Sequence, residues 1–458
     1  MTSANDPTSL DVVDLAAQLA DRKLSSVELT EACLARIVRH NDALHAFIDV
    51  YADDARNAAK AADLARGAGH AVGPLHGIPF GLKDLVDLKG RLTTGGSKAW
   101  SNRISETTGT MAQRLIAAGM IVIGKTHTVE FAFGAWGTNQ HMGAPRNPWD
   151  MRIHRTPGGS SSGSGVAVSS RMVPWAIGTD TGGSVRIPSA MCGLTGLKTT
   201  VGLIPTDGIL PLSTTLDTVG PLARSAADAA LLFDVMRTDG RQLSMKALRR
   251  GVKGLRLARM PDNERGGVEA AVLAAYDDTL RELESLGAEI VDVALPHRFV
   301  EFAAMTGELI AMDGYPYVGH LVADPASPID EEVRKRFMPA ATKSSTDYLM
   351  LLQKREQMRR AMEAALADVD ALLTPTVPTT AIPVDDVLTT KIVPSHFTRV
   401  VNMLGGCALA MPNGVVASGL PTSLHIVCGP GEEETALRVG MAYQSATTWH
   451  RRAPNLDS

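Results

Sequence analysis

The sequence predicts an α/β protein of one large domain, residues 1–458, in which helices cover both faces of a mixed, twisted β-sheet. One order of segments recurs three times: an amphipathic stretch, a short break, and then an apolar run typical of a buried strand. The three pairs are 110–118 with 120–124, 268–286 with 288–293, and 348–366 with 371–375. Because buried strands follow helices in each case, we expect them to contribute to a single sheet.

Three further regions can be described from the pattern of residues. Residues 1–70 are predicted to be N-terminal helices, because Ser25 and Glu28 match a capping box and apolar residues then recur at helical spacing. Residues 71–225 carry the motifs of a catalytic core. Residues 295–345 follow no regular pattern, so we predict an irregular insertion there that covers a substrate pocket.

Composition excludes several classes of function. The chain has 45 basic and 49 acidic residues without a long basic run, so we expect no nucleic-acid partner. It has no apolar run of about 18 residues, and its first residues are polar, so we expect no membrane association and a cytoplasmic location. The four cysteines are far apart and form no C-x-x-C pair, which argues against a zinc site or a disulfide framework.

Residues 156–165, TPGGSSSGSG, allow three interpretations. A flexible linker is disfavoured, because the apolar residues 166–168 follow directly. A phosphate-binding loop is disfavoured too, because the G-K-[ST] ending is missing. The third interpretation is a nucleophile elbow: G-x-S-x-G fits residues 159–163 and makes Ser161 the nucleophile of a Ser-His-Asp α/β-hydrolase.

A second candidate lies in residues 76–84, HGIPFGLKD, where an apolar approach ends in Lys83. If Lys83 is carried into the interior, burial disfavours its charged form and lowers its pKa. The alternative is a surface lysine paired with Asp84 or Asp87.

Taken together, three ordered segments resemble the amidase signature family. They are GIPFGLKD at 77–84, GGSSSGSG at 158–165 and GTDTGGSVRIPS at 178–189. Ser160 and Ser184 are 24 positions apart, which is the separation that the family shows between its two serines. The resemblance extends over about 10–225 and 350–430. It implies the family fold and hydrolysis of amide-type C–N bonds by a Ser-Ser-Lys triad, without a metal or an organic cofactor.

The resemblance also implies a role for each matching residue. Ser184 is expected to be the nucleophile, Ser160 the bridging serine that follows a cis peptide bond, and Lys83 the base. An oxyanion hole is expected from the backbone N–H groups of Thr181, Gly182, Gly183 and Ser184. Supporting roles are expected for Ser161, Asp180 and Arg186. His127 and Ser162 depart from the family pattern, and we expect them to reshape the pocket.

We therefore expect an amidase that forms an acyl-enzyme with a small amide or carbamate, with aryl amides among the candidates, and that works as a monomer or homo-oligomer. Three alternatives stay open. The chain could be the glutamine-hydrolysing subunit of a tRNA-dependent amidotransferase, which shares these motifs. It could instead be the Ser161 hydrolase described above, or a binding protein without catalytic activity.

Overall fold

The computed structural model describes residues 6–457, and this part of the chain contains fourteen α-helices and eleven β-strands. The helices are α1 Val12–Ala20, α2 Ser26–Leu44, α3 Ala52–Gly67, α4 Thr110–Ala117, α5 Ser162–Ser169, α6 Arg186–Met191, α7 Ala226–Met236, α8 Met245–Leu248, α9 Ala270–Ser285, α10 Phe299–Ala323, α11 Glu331–Phe337, α12 Ser345–Ala365, α13 Arg399–Leu404 and α14 Glu433–Ala446. The strands are β1 Phe47–Val50, β2 Pro79–Lys83, β3 Ile121–Thr126, β4 Ala176–Asp180, β5 Thr195–Lys198, β6 Thr218–Ala223, β7 Arg256–Arg259, β8 Glu289–Val291, β9 Ala371–Pro375, β10 Cys407–Val415 and β11 Pro421–Cys428.

All eleven strands form one sheet, in the order β1-β3-β2-β4-β6-β5-β10-β11-β9-β7-β8. The pairs β2–β3, β2–β4, β7–β8 and β7–β9 are parallel, and the remaining neighbours are antiparallel. Every residue of β4, β6 and β11 is buried. Because alternate residues of a strand face opposite sides, the centre of the sheet is covered on both faces. The predicted α/β class with a mixed sheet is confirmed.

The N-terminal region is helical, with one addition that the sequence pattern did not indicate. The Ser25 hydroxyl accepts from the Glu28 N–H at 3.1 Å, and the Glu28 carboxylate accepts from the Ser25 N–H at 2.8 Å, so the predicted capping box is confirmed. Between α2 and α3, however, the chain forms the edge strand β1, which pairs with β3. The part of this prediction that concerns residues 1–5 lies outside the described residues.

The prediction of an irregular segment at 295–345 is wrong. Most of this segment is helical, and α10 alone has 25 residues. Gly314 and Pro316 lie inside α10, where such residues ordinarily weaken a helix. Tertiary burial of Phe302, Leu309 and Ile310 outweighs that local preference. Despite the length of α10, no helix within residues 6–457 is both long and apolar enough to cross a bilayer.

Candidate active site

The three predicted segments meet at one edge of the sheet. Lys83 is the last residue of β2, and Asp180 is the last residue of the neighbouring parallel strand β4. Parallel strands place their carboxyl ends at the same edge, so the loop that leaves β4 begins beside Lys83. Ser160 lies two residues before α5, and Ser184 lies two residues before α6.

Lys83 is fully buried and donates two hydrogen bonds. Its Nζ lies 2.8 Å from Ser160 Oγ and 2.8 Å from Thr179 Oγ1. Burial lowers the pKa of Lys83 to about 7, although the nearby carboxylates of Asp180 and Asp217 favour its charged form. A substantial fraction of this amine is therefore neutral near neutral pH, and able to accept a proton.

The alternative of a surface lysine paired with Asp84 or Asp87 is wrong. Asp84 faces the buried Lys125, whose Nζ lies 3.4 Å from Asp84 Oδ1. Asp87 pairs instead with Arg103 at 2.8 Å. The two aspartates thus have other cationic partners, and the hydrogen bonds of Lys83 go to hydroxyl groups.

Hydrogen bonds to its backbone carbonyl hold Ser160 in place. The Gly159–Ser160 peptide bond is cis, as the resemblance implied. The Ser160 carbonyl accepts hydrogen bonds from the Val129 N–H at 3.1 Å and from the Thr128 hydroxyl at 3.0 Å. These contacts fix the residue, so its hydroxyl is held against the Lys83 amine.

Ser184 differs from the other two serines in its access to solvent. It is 8% exposed, whereas Ser160 and Ser161 are both 0% exposed. The Ser184 hydroxyl makes no hydrogen bond to any residue in 6–457, the Ser160 hydroxyl included. The two serine segments are nevertheless adjacent, because the Ser161 N–H donates to the Ser184 carbonyl at 3.3 Å. Ser184 is therefore the serine that a substrate can reach.

Ser161 is placed as a structural residue. Its Oγ accepts from the Thr179 N–H at 3.3 Å and lies 3.4 Å from the Thr179 carbonyl. No histidine hydrogen-bonds to it within the described chain. The alternative of a Ser161 hydrolase is therefore wrong, because the required nucleophile is enclosed and lacks its base.

The loop from Thr181 to Ser184 presents backbone donors, with one correction to the predicted oxyanion hole. The N–H of Gly183 donates to Asp180 Oδ1 at 2.9 Å and is not free for a substrate. The N–H groups of Thr181, Gly182 and Ser184 have no such acceptor among residues 6–457. Gly183 has another role: its φ of +129° belongs to the region that favours glycine, and a Cβ there would lie 2.3 Å from Thr398 Oγ1.

The buried ion pair of Asp180 and Arg186 supports this loop. Both side chains are fully buried and form a bidentate ion pair, with Nε–Oδ2 at 2.9 Å and Nη2–Oδ1 at 2.8 Å. Asn402 donates to Asp180 Oδ1 at 2.9 Å, and its own Oδ1 accepts from Arg186 at 2.6 Å. Burial alone would raise the pKa of Asp180, but the Arg186 guanidinium holds it well below its usual range.

Sequence reasoning missed four residues of this site. Thr179 accepts from Lys83, Asn402 completes the buried ion pair, and the Thr398 hydroxyl donates to the Gly182 carbonyl at 2.7 Å. Asp217 accepts from the Thr181 hydroxyl at 2.5 Å, and burial raises its pKa to about 6. Thr179 lies inside a quoted motif, but the other three follow it by tens to hundreds of positions, and no spacing rule indicates them.

Ser184 opens into a cavity of about 260 Å³. The lining residues are Ala132, Phe133, Gly134, Ala135, Trp136, Thr181, Gly182, Ser184, Ile187, Leu212, Ile310, Arg336, Ile392, Val393, Pro394, Ser395 and Arg399. Ile310 and Arg336 come from the 295–345 segment. His127 and Ser162, the two departures from the family pattern, are buried and do not line the cavity.

Comparison with known proteins places this geometry in a family. The model of the Amidase family matches residues 28–437. The chain is 36% identical over 473 residues to a glutamyl-tRNA(Gln) amidotransferase subunit of Chloroflexus aggregans (strain MD-66 / DSM 9485), covering 96% of each chain. It is 37% identical over 440 residues to 2-amino-5-chloromuconic acid deaminase of Comamonas testosteroni, covering 94% of this chain and 95% of the relative.

A solved structure agrees over the same length. The native peptide amidase from Stenotrophomonas maltophilia superimposes with a TM-score of 0.85 at 29% identity, covering 98% of this chain and 99% of that one. Family match, sequence identity and fold all extend over nearly the whole chain. The chain therefore belongs to the amidase signature family, whose members hydrolyse the C–N bonds of amides.

Proposed function

We propose that the protein is an amidase that cleaves small amides or carbamates, aryl amides among them, through the triad Lys83, Ser160 and Ser184 and an acyl-enzyme. One observation carries the proposal. A fully buried lysine amine lies 2.8 Å from the hydroxyl of Ser160, and the segment of Ser160 is hydrogen-bonded to that of Ser184, which lines the cavity. A serine hydroxyl needs a neighbouring base to become a nucleophile, and a neutral amine can supply it.

In the first half of the reaction, the Ser184 Oγ attacks the carbonyl carbon of the amide. Its proton passes to Ser160, and the Ser160 proton passes to the neutral Lys83 amine. This relay requires the Ser184 hydroxyl to come within hydrogen-bond distance of Ser160 Oγ. The carbonyl oxygen becomes an oxyanion facing the free N–H groups of Thr181, Gly182 and Ser184.

Collapse of this intermediate breaks the C–N bond. The proton held by Lys83 returns through Ser160 to the leaving nitrogen, which departs as an amine or ammonia. Water then attacks the Ser184 ester by the same relay and releases the carboxylic acid. The bidentate Asp180–Arg186 pair keeps the donor loop in place, since its carboxylate also accepts from the Gly183 N–H.

The test compares two neighbouring serines. Wild-type protein, Ser184→Ala and Ser161→Ala are treated with a fluorophosphonate probe, which labels activated serines, and are assayed with para-nitroacetanilide and a panel of aliphatic amides and carbamates. We expect labelling at Ser184, loss of labelling and turnover in Ser184→Ala, and both retained in Ser161→Ala. Labelling that survives Ser184→Ala would overturn the proposed nucleophile.

A second candidate is a glutamine-hydrolysing subunit of a tRNA-dependent amidotransferase. The 36% identity to a glutamyl-tRNA(Gln) amidotransferase subunit, over 96% of both chains, favours it. The purified protein is assayed for ammonia release from glutamine, and its mass is measured after affinity purification from its own cells. Glutamine turnover that depends on a co-purifying subunit supports this candidate, whereas an isolated protein that hydrolyses other amides contradicts it.

A further inference from the structure

Two arginines line the cavity into which Ser184 opens. Arg336 lies near the end of α11, and Arg399 is the first residue of α13. Neither guanidinium forms an ion pair with an acidic side chain among residues 6–457. Each donates instead to a backbone carbonyl, Arg336 to Phe133 at 2.6 Å and Arg399 to Ala303 at 2.5 Å. The two guanidinium groups that border this small cavity therefore lack a directly paired carboxylate in the described part of the chain.

The acidic side chains nearby have other hydrogen-bond or ion-pair partners. Asp330 accepts from the Glu332 N–H at 2.9 Å and from the Gln140 N–H at 3.0 Å at the start of α11. The Glu332 carboxylate pairs with Lys335 at 2.7 Å, and Glu308 pairs with Lys343 at 2.5 Å. Asp330 and Glu332 interact electrostatically with Arg336, but no carboxylate among residues 6–457 forms an ion pair with either arginine of the cavity.

Arg399 also has unused hydrogen-bonding capacity close to the reacting centre. Its Nε is buried and has no hydrogen-bond partner, which is costly for a charged group. The same Nε lies 3.8 Å from the position that a Cβ would take on Gly182, next to the free backbone donors of the oxyanion loop. Burial and the neighbouring Arg336 lower the pKa of Arg399 to about 10, so it remains a cation at neutral pH.

A carboxylate would pair with the two guanidinium charges and accept a hydrogen bond from the buried Nε of Arg399. The planar guanidinium matches a carboxylate in two-point hydrogen bonds, and such charge-assisted bonds are stronger than those between neutral groups. An anion between the two arginines would also remove their mutual repulsion. A neutral amide would leave the charges and the buried Nε uncompensated.

We propose that the substrate is a small amide that carries a carboxylate, bound by Arg336 and Arg399. The proposal rests on the function proposed above and specifies its substrate class. Because Arg399 lies beside the oxyanion loop and the cavity holds about 260 Å³, the carboxylate is only a few bonds from the carbonyl that is attacked. Monoamides of short dicarboxylic acids have this form.

The test uses a matched pair of amides. Succinamate and butyramide have the same carbon chain, but only succinamate ends in a carboxylate. Ammonia release gives kcat/KM for each with wild-type protein. We expect succinamate to be preferred by about 100-fold, because each charge-assisted hydrogen bond contributes about a factor of ten or more. Arg399→Met and Arg336→Met should each reduce this preference about 10-fold to 100-fold, and Arg399→Lys should reduce it less.

The control is Arg360→Met, which removes an exposed arginine on α12 that pairs with Glu356, outside the cavity. It should leave the preference unchanged. Circular dichroism and thermal melting establish that each variant is folded. Arg336→Met keeps the test decisive if Arg399→Met does not fold, because Arg336 is an exposed residue whose replacement is better tolerated.

Binding separates this inference from the proposed function. Calorimetric titration of Ser184→Ala protein with succinamate measures affinity without turnover. One outcome is that the wild-type protein hydrolyses no amide, while Ser184→Ala binds succinamate and the Ser184→Ala, Arg399→Met double variant does not. This outcome would support the carboxylate site and overturn the proposed function. Hydrolysis of butyramide as fast as succinamate, with a ratio unaffected by the arginine variants, would overturn the carboxylate site alone. Absence of both binding and hydrolysis of succinamate would also overturn it.

Discussion

Lys83 and Ser160 are 77 positions apart in the chain, yet their side chains share a 2.8 Å hydrogen bond in a fully buried environment. Neither residue meets water, so the charge of the lysine is decided by the few groups around it. Burial opposes that charge, and its two direct contacts are uncharged hydroxyls. The protonation state of this amine connects activity, pH and stability.

Activity should rise with pH through about 7. The pKa of Lys83 is lowered to about 7, so the amine is charged and unable to accept a proton below that pH, and neutral above it. We expect kcat/KM for a neutral amide to fall about tenfold per pH unit on the acid side. The profile is measured from pH 5 to 9 on a substrate that does not titrate. A flat profile over the whole range would contradict the assignment of Lys83 as the base.

Thr179→Val should shift that acid limb to lower pH. The Thr179 hydroxyl accepts from the Lys83 amine, and this contact favours the charged form. Valine keeps the shape and removes the acceptor, so the amine should lose its proton more easily. Thr179→Ser, which retains a hydroxyl, is the matched control and should leave the limb in place. A shift towards higher pH in the valine variant would refute this account.

Lys83→Met should abolish activity and stabilise the fold. In the unfolded chain the amine keeps its ordinary pKa of about 10.4, so between about pH 7 and 10 the unfolded state binds more protons than the native state. Stability of the wild type therefore increases with pH through this window. At pH 8 the buried amine lowers the free energy of unfolding of the wild type by roughly 3 kcal/mol. The variant regains this amount but loses the two hydrogen bonds of the amine, which offsets part of the gain. We expect a net gain of about 1–2 kcal/mol in the free energy of unfolding.

Urea denaturation of wild-type and Lys83→Met protein at pH 6, 8 and 9.5 checks this prediction. The pH dependence between 7 and 10 should be weaker in the variant, since the group responsible has been removed. A variant that is less stable than the wild type at every pH would show that the amine contributes more through its contacts than burial costs.

Asp180→Asn should destabilise the protein by about 3–5 kcal/mol, because it leaves the fully buried Arg186 without its countercharge. Asp277→Asn is the matched control. Asp277 makes a similar bidentate pair with Arg265, at 3.0 and 2.7 Å, but in a partly exposed position. It should cost about 0–1 kcal/mol after solvent screening. Equal losses in urea denaturation of the two variants would contradict the role given to burial.

Gly183→Ala should lower kcat more than it changes KM. The added Cβ would lie 2.3 Å from Thr398 Oγ1, so the loop must shift. Its N–H groups would then no longer point at the proposed position of the oxyanion. Loss of one such donor costs about 100-fold to 1000-fold in kcat. Gly202→Ala is the control: Gly202 also has a positive φ, +85°, but has open space around it. It should reduce stability slightly and leave kcat unchanged.

Much of the candidate site could be predicted from the sequence because its residues lie in short segments of the chain. Lys83, Ser160 and Ser184 each lie in a short segment whose glycines and flanking residues are set by close backbone approach, and the structure brings these segments to one edge of the sheet. The strands β3 and β9 follow helices as the apolar pattern predicted, since burial on both faces demands apolar runs. Strand β8 also follows a helix, but it is a partly exposed edge strand and not the buried strand that the pattern predicted.

What the sequence by itself determined is the class of fold, the three segments and the residue types that can move a proton between them. Tertiary structure alone decided which groups surround those residues. Asp217 and Thr398 contact the Thr181–Ser184 loop from distant parts of the chain, and Asn402 contacts the Asp180–Arg186 pair. The Asp180 carboxylate accepts from the N–H of Gly183. In α10, burial outweighs the local effect of Pro316. These contacts and this helix have the same physical reason. A sequence motif reflects constraints among residues that are close in the chain, whereas hydrogen-bond partners and burial depend on how distant segments pack around the sheet.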